Sequence, residues 1–207
     1  MPKKNYTFSC SHNRESVEPH RLSISDASCY TDREKLDLFE FYVVKALVKT
    51  CKLGGVLSDL GWKGAELGRL EKLFVELCGL ENRFLIARTD KMPKTLERFG
   101  LNIGMRICID CPRGVMLAEC QVVEGIVRPK GNATRVEVIL SHIRNSIAHG
   151  NTFFFDNGNV LLLDVTRQGD KSCALLIPSR ALVDFMQTVN NGPNEASQAS
   201  FTAEGDA

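Results

Sequence analysis

The sequence predicts a mainly helical domain with a small antiparallel β-element near its C-terminal end. Apolar residues recur at helical spacing over most of the chain. One segment, residues 134–150, opens with a capping box and ends at a glycine, as a complete helix does. Directly after it, an Asn-Gly pair separates two short apolar runs, which is a strong hairpin signal.

Composition points to an ordinary globular protein. The 207 residues are 43% hydrophobic and 25% charged, with a net charge of +1, so the chain can bury one good core. Such a small net charge excludes a generally basic nucleic-acid coat, and any RNA contact would depend on a local basic patch. We expect a cytoplasmic protein outside the membrane, because no membrane-length apolar run or signal-peptide core is present.

The eight cysteines are scattered among predicted helices, and we expect them to be mostly buried and reduced. A zinc or redox site at Cys108 and Cys111, with Cys120 beyond them, is an alternative. It lacks a second pair of ligands for zinc and a βαβ context for redox chemistry. We therefore expect no metal and no cofactor.

The distribution of apolar residues divides the chain into three parts. Residues 1–28 have little periodicity and are expected to form a flexible N-terminal arm. Residues 29–190 are expected to form the helical domain. Residues 191–207 are rich in small and polar side chains and are expected to form a disordered tail.

Four helices are predicted in the first two thirds of the chain. Apolar spacing predicts a helix over 31–52, with acidic residues near its start and lysines near its end. A second helix is predicted over about 66–88, and a short one over the sequence KTLERFG. Residues 103–124 are expected to form another helix that is interrupted near Pro112, or two pieces around it.

The next helix has the clearest boundaries. A turn is expected over 127–132. Thr134 and Glu137 then form a Thr-x-x-Glu capping box, and Gly150 is well placed as the left-handed residue that ends a helix. The apolar stripe of this helix consists of Val136, Ile139, Leu140, Ile143 and Ile147.

A hairpin and a last helix complete the chain. Strands are predicted at Phe153–Phe155 and Val160–Asp164, on either side of the Asn157-Gly158 turn. Residues 173–177 are expected to add a third strand. An amphipathic helix then begins near Pro178.

The candidate site lies near the end of the helix predicted over 134–150. Arg144 and His149 are five residues apart, which places them about 140° apart around the helix axis. His149 shares one face with Asn145 and His142, and the long side chain of Arg144 can reach that face from the adjoining flank. One helix can thus present a cation, an amide and an imidazole together.

These groups are sufficient for cleavage of RNA by its own 2′-hydroxyl. An imidazole can act as base or acid near neutral pH, and a guanidinium pairs with phosphate oxygens. The nucleophile comes from the substrate, so DNA should not be cut. The alternative is an ordinary helix end, because capping and the helix dipole also favour a His before a Gly, and spacing alone favours this alternative.

The run IRNSIAHG, residues 143–150, resembles the motif of HEPN domains. That motif is an Arg, four to six residues and a His, often with a polar residue directly after the Arg. Here the spacing is four and the polar residue is Asn145. The hairpin that follows resembles a subfamily of bacterial, sometimes plasmid-borne, HEPN proteins.

The resemblance implies an antiparallel helical bundle that forms a homodimer, in which the motifs of two subunits line one cleft. It also implies a metal-independent endoribonuclease of the toxin–antitoxin or antiphage type, with RNA as substrate and a cognate antitoxin as a possible partner. By this resemblance His149 is the base or acid, Arg144 the phosphate anchor and Asn145 the group that orients them. The alternative is a non-catalytic HEPN module that binds RNA or a partner protein.

Four further residues are candidates for substrate binding. Arg128, Lys130 and Arg135 cluster just before the motif helix and could guide an RNA backbone, although a solvated loop would look the same. They lie roughly 20 Å from the motif at 1.5 Å per residue, so the substrate would have to span that distance or cross a dimer. His142 could be a second polar group of the site.

Overall fold

The structure is a computed structural model, and it describes residues 8–9, 20–22, 24–45, 57–88, 107–108, 110–118, 120–123, 126–129, 134–165 and 171–199. Its elements, in chain order, are β1 (Phe8–Ser9), β2 (His20–Arg21), a 3₁₀ turn (Ile24–Asp26), α1 (Asp32–Phe39) continued by a π-helix (Glu40–Lys45), α2 (Ala65–Leu77), β3 (Phe84–Arg88), β4 (Ile107–Cys108), β5 (Arg113–Ala118), β6 (Cys120–Val123), β7 (Ile126–Pro129), α3 (Arg135–Ala148), β8 (Thr152–Phe154), β9 (Asn159–Val165), β10 (Lys171–Pro178) and α4 (Arg180–Ala199).

A mixed β-sheet forms the centre of the fold. Its order is β2-β8-β9-β10-β5-β3, so five main strands are extended at one edge by the two residues of β2. The pair β3–β5 is parallel, and the other neighbours are antiparallel. The predicted helical bundle with a small hairpin is therefore wrong, because the hairpin belongs to a large sheet on which the helices pack.

Two of the segments that apolar spacing predicts to be helical contain strands of the sheet. In the segment 66–88, α2 ends at Leu77 and β3 occupies Phe84–Arg88. In the segment 103–124, β5 follows Pro112 and lies between β3 and β10. Over five or six residues, an apolar run in a strand can have the same pattern as part of a helix, so periodicity could not separate them.

One other predicted segment differs in part from the structure, and described elements lie within the expected arm and tail. Part of the expected turn over 127–132 is strand β7, which pairs with β6. Inside the expected arm, β1 pairs with β4 and β2 with β8, and Ile24 and Ala27 are buried. Helix α4 breaks at Gly192, where φ is +78°, and continues to Ala199 in the expected tail. The expected helix KTLERFG lies outside the described residues.

The local signals around α3 are confirmed. Thr134 and Glu137 form both hydrogen bonds of the capping box, and Gly150 has a φ of +62°. The hairpin β8–β9 pairs Phe154 with Val160 across the predicted turn. Strand β10 and helix α4 also lie where they were predicted.

Helices α3 and α4 contact the sheet and bury a shared core. Strand alternation turns Val160 and Leu162 of β9 towards this core. Two hydroxyls fix the first helical region to the last. Tyr30 Oη, just before α1, donates to the carbonyl of Ser179, just before α4, at 2.7 Å, and Tyr42 Oη in the π-helix donates to that of Leu182 in α4 at 2.9 Å. None of the described helices combines the length and apolar character needed to span a membrane.

Candidate functional site

The site forms where α3 ends beside strand β9. Ile139 and Ile143 of the apolar stripe of α3 are fully buried, whereas Ile147 at its end is only partly buried. Leu163 N–H donates to the carbonyl of Asn151 at 3.0 Å, so β9 returns directly alongside the end of α3. Asp164 follows Val160 and Leu162 by even steps along the strand, and it therefore lies on the face that meets α3.

Asp164 connects the strand to the helix. Its Oδ2 accepts from His142 Nδ1 at 2.7 Å and from Asn145 Nδ2 at 3.0 Å. Because an ionised carboxylate can only accept, His142 carries its proton on Nδ1. His142 and Asp164 are only 5% and 6% exposed. The two donors are one helical turn apart, so a single carboxylate oxygen joins two points of α3 to β9.

Asn145 extends this arrangement to the guanidinium of Arg144. Arg144 Nη1 donates to Asn145 Oδ1 at 2.7 Å. Asn145 thus accepts from Arg144 with one end of its amide and donates to Asp164 with the other. We call Arg144, Asn145, Asp164 and His142 the polar relay.

The relay keeps Asp164 ionised. Burial alone would raise the pKa of this carboxyl. The hydrogen bond from His142 and then that from Asn145 lower it, helped by the charge of His142 and by Ser172, and the net result is a pKa below the usual value for Asp. The buried negative charge is therefore balanced by the groups that it orients.

The Arg144 guanidinium has more N–H donors than the hydrogen bond to Asn145 uses. It has five N–H donors, and Asn145 uses one of them. Its Nε is buried and makes no hydrogen bond to any residue that the structure describes. Leaving a buried donor unpaired costs about 1–3 kcal/mol. Arg144 as a whole is only partly buried, so its other N–H groups can reach an anionic oxygen, and a small shift of the side chain would let Nε share it. Arg144 is therefore suited to bind a phosphate or carboxylate.

His149 occupies the C-cap of α3. Its backbone N–H donates to the carbonyl of Asn145 at 3.0 Å, and its side chain is exposed. Gly150 then adopts the left-handed conformation that turns the chain into β8. The imidazole of His149 is thus presented to solvent about one turn beyond the relay.

The structure brings together part of the predicted site. Arg144 and Asn145 are in direct contact, and His149 lies about 7.5 Å further along the axis at 1.5 Å per residue. His142 is buried in the relay instead of lying on the surface with His149. His142 as a group that contacts substrate stays a prediction.

Of the basic residues near the start of α3, only Arg135 has a described side chain, and it is paired away from the relay. Arg135 Nε donates to Glu71 Oε1 of α2 at 2.6 Å, so an acidic side chain already pairs with it. Arg128 lies in strand β7, but only its backbone is described, and Lys130 lies outside the described residues. Their roles in RNA binding stay predictions.

Sequence reasoning missed Asp164. The sequence contained a signal, because Asp164 is spaced by two and four residues from Leu162 and Val160 and therefore lies on the same buried face of an apolar strand. Charged side chains are almost never fully buried unless they are paired. The partner could then have been sought on the preceding helix. Within the described ranges, no group of three or more His, Cys, Asp or Glu side chains is placed to hold a metal ion.

Searches of known protein families, curated proteins and solved structures found no match to this chain. Its function is therefore inferred from the residues of the site and their geometry.

Proposed function

We propose that this protein cleaves RNA by attack of the substrate's own 2′-hydroxyl on the adjacent phosphate, with Arg144 binding that phosphate and His149 transferring a proton. The observation that carries the proposal is the state of the Arg144 guanidinium. Asn145 holds it at Nη1, and its buried Nε makes no hydrogen bond within the described residues. An exposed imidazole lies about one turn away.

The proposed reaction forms one bond and breaks one. The 2′-oxygen bonds to phosphorus and the bond from phosphorus to the 5′-oxygen breaks, which yields a 2′,3′-cyclic phosphate and a 5′-hydroxyl. His149 removes the proton of the 2′-hydroxyl, and a separate acid, either solvent or the imidazole of a second copy, protonates the leaving oxygen. Arg144 stabilises the charge that accumulates on the phosphate oxygens in the transition state.

Asn145 supports this chemistry by holding Arg144 in place. An Arg side chain has many rotamers, and ordering it costs up to about 2 kcal/mol. The hydrogen bond from Nη1 to Oδ1 restricts the guanidinium before substrate arrives. The phosphate then meets a donor that is already oriented, which is how an active site favours the transition state.

We also propose that two copies pair to form the full site. A single chain offers one His149, which can perform one of the two proton transfers. A second copy would supply an imidazole for the other. The likeness of residues 143–150 to the HEPN motif supports this proposal through these residues alone, because the sheet-centred fold differs from the bundle that the likeness implied.

The second candidate is an RNA-binding module that does not cut. One observation favours it: the imidazole of His149 makes no hydrogen bond to the part of the chain that the structure describes. A catalytic His is commonly oriented by a partner on its other nitrogen. In this alternative, Arg144 binds phosphate and His149 serves only as a polar contact.

The test compares three oligonucleotides of one sequence, made of RNA, 2′-O-methyl RNA and DNA, in the presence of a metal chelator. The proposal predicts that only the RNA is cut, because only RNA has the free 2′-hydroxyl. Arg144→Ala should weaken binding of the uncleavable 2′-O-methyl strand, whereas Arg83→Ala, an exposed control, should not. Binding of all three strands with none of them cut would favour the second candidate.

A further inference from the structure

We infer that Asp164 is a positioning residue of this site: its carboxylate sets the direction of the Asn145 amide and thereby holds the guanidinium of Arg144. This inference rests on the proposed function for its consequence in catalysis. Asp164 itself is 6% exposed and contacts the side chains of His142 and Asn145. It therefore acts through other residues and does not touch the substrate.

The hydrogen bonds allow only one direction of the Asn145 amide. Asp164 Oδ2 can accept and cannot donate, so it requires the Nδ2 end, at 3.0 Å. The guanidinium can donate and cannot accept, so it requires the Oδ1 end, at 2.7 Å. A flipped amide would place an oxygen against the carboxylate and a donor against the guanidinium. The negative group in the strand thus determines how Asn145 receives Arg144.

His142 stabilises Asp164 in this role. It donates to the same Oδ2 at 2.7 Å and lies one helical turn before Asn145. Both donors belong to α3, whereas Asp164 belongs to β9. The orientation of Arg144 therefore depends on the register between the helix and the hairpin, and a slip of either element would release it.

A purely structural role for Asp164 would predict different consequences of its substitution. Asp164 would then only attach β9 to α3, and its loss would loosen both elements without a specific effect on Arg144. Thr134→Ala provides a matched control, because it removes the capping box at the far end of the same helix and touches no member of the relay. Both variants should loosen α3, but only Asp164→Leu removes the partner of Asn145.

The first experiment follows the Nε–H resonance of Arg144 by NMR in the full chain without ligand, assigned by its loss in Arg144→Lys. We expect a sharp, slowly exchanging signal in the natural chain and in Thr134→Ala. In Asp164→Leu we expect it to broaden or to exchange at least about tenfold faster, as loss of a charge-assisted hydrogen bond implies. An unchanged signal in Asp164→Leu would overturn the inference.

Asn145→Leu keeps the inference testable if Asp164→Leu does not fold. This variant leaves the pair of His142 and Asp164 intact and removes both hydrogen bonds of the Asn145 side chain, so it breaks the connection from Asp164 to Arg144. We expect the same loss of the Nε–H signal with a folded core. A protected signal in Asn145→Leu would also overturn the inference.

The second experiment measures kcat/KM for RNA cleavage in a double-mutant cycle. If Asp164 acts through Asn145, each of Asp164→Leu and Asn145→Leu should lower kcat/KM about tenfold or more. The kcat/KM of the double variant should then be no lower than that of the less active single variant. Effects that multiply would mean that Asp164 acts independently of Asn145, against the inference. Absence of cleavage by the natural chain would contradict the proposed function, and the NMR result would still decide the inference.

Discussion

His142 Nδ1 lies 2.7 Å from Asp164 Oδ2, and this buried contact joins helix α3 to strand β9. It has a consequence for stability in acid. The pKa of Asp164 is lowered, although burial opposes the shift, because hydrogen bonds from His142 and Asn145 favour the ionised form. Because the pKa of Asp164 is lower in the folded than in the unfolded chain, its ionisation stabilises the fold at pH values above the unfolded pKa, about 3.9. This stability is lost as the pH falls through the folded pKa.

We therefore predict that the free energy of unfolding of the natural chain falls more steeply below about pH 4 than that of Asp164→Asn. The Asn side chain has a similar shape and cannot bind the proton. Urea unfolding at a series of pH values between 7 and 3 measures the difference. Parallel curves for the two proteins would show that Asp164 contributes no acid-sensitive stability.

Gly150→Ala should destabilise the end of α3. Gly150 has a φ of +62°, in the left-handed region, and no atom lies within 4 Å of where a Cβ would stand. The penalty is therefore conformational, about 1–2 kcal/mol. Gly68 in α2 also has open space but an ordinary φ, so Gly68→Ala should stabilise by about 0.5–1 kcal/mol. Equal effects of the two substitutions in thermal unfolding would contradict this account.

Gly114→Ala should also destabilise the protein, for a steric reason. A Cβ at this position would lie 2.5 Å from Leu175 Cδ1 and 3.1 Å from Phe84 Cδ2. Overpacking of this kind costs about 1–3 kcal/mol. Leu175→Val shortens the obstructing side chain, so the penalty of Gly114→Ala should shrink in that background. Denaturant unfolding of both single variants and the double variant measures this coupling, and strict additivity would count against it.

The parts of the fold that were predictable depend on neighbours in sequence. The capping box of Thr134 and Glu137, the helix end at Gly150 and the Asn157-Gly158 turn each act within a few residues. The strands β3 and β5 depend on distant partners. Strand β5 pairs with β10 about sixty residues later, for example Met116 with Cys173. A run of five or six apolar residues does not indicate which distant strand it will pair with.

The candidate site also has one part that could be predicted from neighbours in sequence and one part that could not. Arg144, Asn145 and His149 were found because they lie within one short motif. Asp164 meets them only because the hairpin returns β9 beside α3 in one register, which places that carboxylate opposite Asn145. The order of residues on a strand was visible in the sequence, but the helix that would face it was not.

The central claim is that Arg144 and His149 act together on a phosphate of RNA. Its most direct test is the rate of cleavage of an RNA oligonucleotide in chelator, with the chemistry of the new ends identified by mass spectrometry. The natural chain and Arg83→Ala should produce 2′,3′-cyclic phosphate and 5′-hydroxyl ends. His149→Ala and Arg144→Ala should be at least about a hundredfold slower. His149 is exposed, so its substitution should change the free energy of unfolding by no more than about 0.5 kcal/mol. Equal rates for all four proteins, or no cleavage by the natural chain, would contradict the claim.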